Sequence, residues 1–123
     1  MEVADRCKKL LIQTEGLSKD KSYVIEGVRS FAEKARHEMN IREVILFGSY
    51  AKGTATENSD IDVAVVMDAP VDDWLETSTN LFRLRRDINL FIEPVLIDLF
   101  SNRSGFLDEV RQTGEMIYDR EHV

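Results

Sequence analysis

The chain has a single cysteine, two prolines, no surplus of positive charge and no apolar run approaching the length of a membrane span. Each scarcity excludes something. One cysteine, Cys7, cannot close an internal disulfide, and its surroundings (ADRCKKL) mark no nucleophile, so it reads as an ordinary helix-face residue. A spanning helix needs about 20 consecutive apolar residues, and none is present. The opening residues, MEVADRCKKLL, lack the apolar core of a secretory leader. Lys and Arg number 16 against 23 Asp and Glu, a formal net charge of −7. That balance argues against a general nucleic-acid binder, which needs a basic stripe to displace counterions from phosphates. A cytoplasmic protein is the expectation. What the chain does have is 43% hydrophobic residues over a length of 123, enough for one globular domain with a true core. It leaves little room for a separate substrate-recognition domain.

Apolar periodicity predicts the elements. Residues 2–14 form a short amphipathic helix carrying Val3, Cys7, Leu10 and Leu11 on one side, in an N-terminal extension of about residues 1–17. Ser18 caps a longer helix over Lys19 to Met39, whose Val24, Ile25, Val28, Phe31, Ala32 and Ala35 recur at helical spacing. His37 near its end suits the helix dipole and is a surface residue. Glu43 to Phe47 is a strand buried on both faces, and Asp60 to Met67 is a second, ended by Pro70. Val71 to Arg86 is a helix with Trp74, Leu75, Leu81, Phe82 and Leu84 as its apolar positions. Its closing Arg83, Arg85 and Arg86 are explained by the dipole. Ile88 to Asp98 is a third strand, where Pro94 signals an edge, a bulge or an end. Ser104 or Asn102 then caps a helix over Gly105 to Gln112, with Phe106, Leu107 and Val110 inward. Glu115 to Tyr118 is a short strand or extended tail. The pattern is α/β, with no internal repeat and no linker.

Chemistry concentrates between Leu46 and Val66, reading LFGSYAKGTATENSDIDVAVV. Gly48 ends an apolar strand where the backbone must turn sharply and admit a ligand. Ser49 follows, its hydroxyl and nearby N–H groups placed to hold an anion such as phosphate. Asp60 and Asp62 alternate with Ile61 and Val63, so on a strand both carboxylates face one side, about 7 Å apart at their Cα atoms. That spacing suits convergence on one or two Mg²⁺ ions.

Gly48, Ser49, Lys52, Gly53, Ser59, Asp60 and Asp62 fill the pattern Gly-Ser, a basic residue and Gly, then Ser-Asp-x-Asp. In this the sequence resembles the DNA polymerase β-like nucleotidyltransferases, and among them the minimal, single-domain branch. The resemblance reaches more weakly over about residues 25–119, a core of about 20–119. It implies a small mixed sheet flanked by helices, two Mg²⁺ ions, and ATP or another nucleoside triphosphate as substrate. Asp60 and Asp62 would hold metal, with Gly48, Ser49 and Lys52 at the β/γ-phosphates. Ser59 belongs to the same nucleotide-side set, more as a loop cap orienting Asp60 than as a substrate contact.

The family also implies a third carboxylate from a later strand, to share a metal or take a proton. Glu93 and Asp98 are the candidates. If Ile88, Leu90 and Ile92 face the helices, Asn89, Phe91 and Glu93 share the other side, leaving Glu93 a lone charge that needs a cation or solvent. Asp98 lies at the far end and off that parity, where a turn or cap role is the default. Glu93 is favoured, although the commoner family pattern has aspartate there. Asn89 is a weaker candidate for orienting phosphate or water.

The implied reaction is transfer of a nucleoside monophosphate, AMP from ATP, to a hydroxyl. Family members of this size often serve as antitoxins that bind a HEPN-domain toxin or transfer AMP to a tyrosine on it. A partner chain or homo-oligomer would complete the pocket. Two rivals remain: a non-catalytic module that neutralises its partner by binding, and an acidic domain that binds metal incidentally.

Overall fold

The computed structural model describes residues 21–56, 58–100 and 105–122. The expected helix over 2–14, Cys7, the Ser18 cap and the Asn102 or Ser104 cap lie outside the described residues. The first described helix, α1 (Lys21–Glu38), buries Val24, Val28, Phe31, Ala32 and Ala35, the stripe its periodicity predicts. It leads into β1 (Ile41–Phe47), followed by a four-residue helix α2 (Ser49–Lys52) and then β2 (Ile61–Met67). Helix α3 (Trp74–Leu84) and a 3-10 turn over Arg85–Asp87 lead to β3 (Ile92–Asp98). Helix α4 (Phe106–Thr113), β4 (Glu115–Asp119) and a 3-10 turn over Arg120–His122 follow.

The four strands form one mixed sheet in the order β3-β2-β1-β4. β1 runs antiparallel to both β2 and β4, while β2 and β3 are parallel, joined by the α3 crossover. Burial on both faces explains the unbroken apolar runs of β1 and β2. Val44, Leu46, Val63 and Val65 pack beneath α1 and α3, with Phe31, Leu81 and Ile92. Ile45, Ala64, Val66 and Ile97 face the other way, onto Leu107 and Val110 of α4. Glu43 enters β1 only 6% exposed, held by two 3.0 Å hydrogen bonds from Arg111 of α4. Among the described residues no helix is long and apolar enough to cross a membrane.

Four expectations need correction. Helix α3 starts at Trp74, not Val71, because the Asp73 carboxylate caps it, accepting from the Glu76 N–H at 2.9 Å. Trp74 and Leu75, expected inward, are 40% and 78% exposed; the core-facing stripe is carried by Leu81 and Leu84. Strand β3 begins at Ile92 rather than Ile88, because the N–H groups of Ile88 and Asn89 both return to the Arg85 carbonyl and form a turn. Leu90, expected to face the helices, is 64% exposed on that turn.

Candidate active site

The site is built where β1 ends and β2 and β3 begin. Gly48 leaves β1 with φ 75°, a backbone state that L side chains rarely adopt. A Cβ on it would lie 2.2 Å from Asp62 Oδ2, so any side chain there would have to displace the Asp62 carboxylate as well. The Lys52 N–H returns to the Gly48 carbonyl at 3.0 Å, closing the short helix α2 that carries Ser49. Ser49's hydroxyl has no hydrogen-bond partner among the described residues, and the Lys52 side chain is exposed without an ion pair among them.

Asp62 lies between two neighbours, paired with Phe47 on β1 and with Glu93 on β3. Its parity is that of Ala64 and Val66, and Glu93 has that of Val95 and Ile97, so both acids stand on the α4 side of the sheet. Asp60 is exposed just ahead of β2. Burial first, then the Asp60 and Glu93 carboxylates, push the Asp62 carboxyl above its usual range. The cluster is thus acidic, and among the described residues no cation is paired with it. A divalent cation would remove that imbalance, which is how these residues fit one. Among the described residues no three acidic, histidine or cysteine side chains already stand in metal-holding geometry.

Other candidates are engaged elsewhere. Ser59 Oγ accepts from the Thr56 N–H at 2.8 Å and tightens the loop before Asp60. Asn89 spends its side-chain oxygen on the Phe91 N–H at 2.9 Å, so that oxygen serves the turn. Asp98, 2% exposed at the opposite end of β3, accepts from the N–H groups of Val71 at 2.8 Å and Phe100 at 2.6 Å. His37 meets Glu33 within α1 at 3.3 Å. A surface groove of about 500 Å³ lined by Lys34, His37, Arg83, Arg86 and Asp87 lies between α1 and the end of α3, away from the carboxylates.

A glycine bend thus lies against one carboxylate, with a second acid ahead of it and a third across the parallel strand. The chain belongs to the polymerase beta nucleotidyltransferase family, whose model matches residues 30–123. It is 34% identical over 90 residues to a protein of Methanocaldococcus jannaschii provisionally named protein adenylyltransferase MJ0604, covering 71% of this chain and 88% of that one. A nucleotidyltransferase crystal structure from Sulfolobus solfataricus shares the fold, with a TM-score of 0.64 at 20% identity, covering 90% of this chain and 93% of that one. A toxin-antitoxin crystal structure with AMP-PNP matches with a TM-score of 0.52 at 25% identity, over 81% of this chain and 73% of its own.

Proposed function

We propose that this nucleotidyltransferase moves AMP from ATP onto a hydroxyl of a protein, and that the acceptor is a tyrosine of a HEPN-type toxin for which the chain is the antitoxin. The observation that carries the reading is the contact of Gly48 with Asp62, opposite Glu93, because it brings the glycine bend and three carboxylates together at one end of the sheet. The provisional adenylyltransferase name of the M. jannaschii relative and the AMP-PNP-bound toxin-antitoxin neighbour support the choice of AMP and of a protein partner.

In this mechanism Asp60 and Asp62, with Glu93 contributing, would hold Mg²⁺, which when bound neutralises phosphate charge and favours ionisation of the acceptor hydroxyl. Ser49 and the backbone N–H groups after Gly48 hold the β/γ-phosphates, and Lys52 adds positive charge beside them. The acceptor oxygen bonds to the α-phosphorus in line as the bond from that phosphorus to the bridging α–β oxygen breaks. Pyrophosphate leaves with that electron pair, and Glu93 stands to take the acceptor's proton. The protein's contribution is positioning and charge compensation.

The test is transfer of label from α-labelled ATP to a HEPN-domain protein, in the presence of Mg²⁺. Asp62→Asn is expected to lower the rate at least about 100-fold. Unchanged turnover in a folded Asp62→Asn protein discards the mechanism. Metal-independent binding of the partner, with no label transferred, favours the purely neutralising module instead.

A further inference from the structure

We infer that Arg85 is a positioning residue for this site, setting where β3 begins against the Asp-x-Asp strand and so keeping Glu93 opposite Asp62. The inference rests on the nucleotidyltransferase reading above and adds a residue that touches none of the reacting groups. Arg85 follows α3 in the 3-10 turn. Its Nη1 donates to the Leu90 carbonyl at 3.0 Å and to the Ile92 carbonyl at 2.7 Å. The guanidinium carbon lies 4.7 Å from the centre of the Phe82 ring, which fixes the side chain from the helix side. With the carbonyls of residues 90 and 92 turned toward arginine, the Phe91 carbonyl between them points the other way and accepts the Ile61 N–H at 2.8 Å. Ile61 is the residue between Asp60 and Asp62.

One side chain therefore fixes the peptide just before Glu93 and, through the Phe91 carbonyl, the register of Glu93 against the strand carrying the paired aspartates. Such a device is needed because Asp62 and Glu93 face each other on adjacent strands, and like charges in that relation oppose the register that brings them together. A slip of one residue would turn Glu93 to the other face of the sheet. The Arg85 backbone contributes as well, its carbonyl accepting the N–H groups of Ile88 and Asn89 at 2.9 and 3.0 Å. Substituting the side chain leaves that turn in place and removes only the clamp.

Arg85→Met keeps an apolar stem on Phe82 and deletes the donors; Arg85→Lys keeps a cationic donor. Three readouts decide. Amide hydrogen exchange at Ile61 is expected to quicken in the Met variant and to recover in part with Lys. Calorimetric affinity for Mg²⁺ with α,β-methylene-ATP, which cannot be cleaved at the α–β position, is expected to fall about 10-fold or more in the Met variant. In a Glu93→Gln background the same substitution is expected to change that affinity less than about twofold, because the group it positions is already gone. A folded Arg85→Met protein with wild-type Ile61 exchange and nucleotide affinity overturns the inference, as does a full 10-fold loss persisting in the Glu93→Gln background. If the Met variant does not fold, Arg85→Lys carries the same three comparisons. Loss of affinity in Glu93→Gln without loss in Arg85→Met sinks the Arg85 role alone, whereas unchanged transfer in Asp62→Asn sinks the reading beneath it.

Discussion

At Gly48 and Asp62 one residue's missing side chain makes room for the other's carboxylate. Replacing Gly48 with alanine places a methyl group 2.2 Å from Asp62 Oδ2 on a backbone at φ 75°. Gly48→Ala is expected to cost about 2 kcal/mol or more by denaturant unfolding. It should also cost transfer activity beyond that loss, since Asp62 must move. In the proposed mechanism Asp62 carries a conflict between stability and function. Its carboxyl is raised by burial and by Asp60 and Glu93. A raised carboxyl binds its proton more tightly folded than unfolded, so its ionisation at neutral pH works against the folded state. Asp62→Asn is therefore expected to raise the melting temperature of the metal-free protein while abolishing transfer, a pairing that calorimetry and label transfer check together. The glycine, serine and paired aspartates could be singled out from the sequence as candidates because their pattern lies in side-chain identity and close spacing. Arg85 could not, because its partners are main-chain carbonyls at residues 90 and 92, which have no residue-type signature.

At the scale of elements, apolar periodicity found the helices and strands wherever it was continuous, as in α1 and in the runs of β1 and β2. It failed where polar atoms took over. The segment from Ile88 to Phe91 alternates like a strand yet is a turn, because the Arg85 carbonyl and the Asn89 side chain capture its N–H groups. Glu93 still falls on the face that alternation assigned it, since β3 keeps that parity once it begins. Nor could single-element reading find the pairing of Glu43 with Arg111, two charges separated by 68 positions that join β1 to α4. Arg111→Met leaves a nearly buried carboxylate without its partner. The expected cost is about 2 kcal/mol, below the usual figure for a fully buried pair because the arginine side chain is 36% exposed. Urea unfolding of the single variants and of the doubly substituted Glu43→Leu/Arg111→Met protein checks it, the double variant being expected to recover part of the loss.

Across the whole molecule the acids divide by the end of the sheet they occupy. Asp60, Asp62 and Glu93 gather where β2 and β3 start, with no ion pair among the described residues, while Asp68 and Asp98 sit where those strands finish and are bonded within the protein. Asp68 is ion-paired with Arg120 beyond β4, and its hydrogen bond with that arginine is the main reason its carboxyl lies below the ordinary value. A lowered carboxyl stabilises the fold above its unfolded-state value, and that contribution is lost as pH falls through the folded one. Melting curves of wild type and Asp68→Asn should therefore differ at neutral pH and converge in acid. An overall charge of −7 is thus no simple guide to the surface: part of it is consumed in ties between elements, and part is concentrated at one end. Composition gives the total; the sheet order decides the distribution.

The outer side of β3 has a consequence for assembly. Pro94 has no N–H to offer, and Arg85 already occupies the Ile92 carbonyl, so a foreign strand meets a blocked ladder over the first half of that border. Sheet-to-sheet fusion and fibril seeding are discouraged along that flank, and a binding partner approaching there must grip side chains rather than extend the pleat.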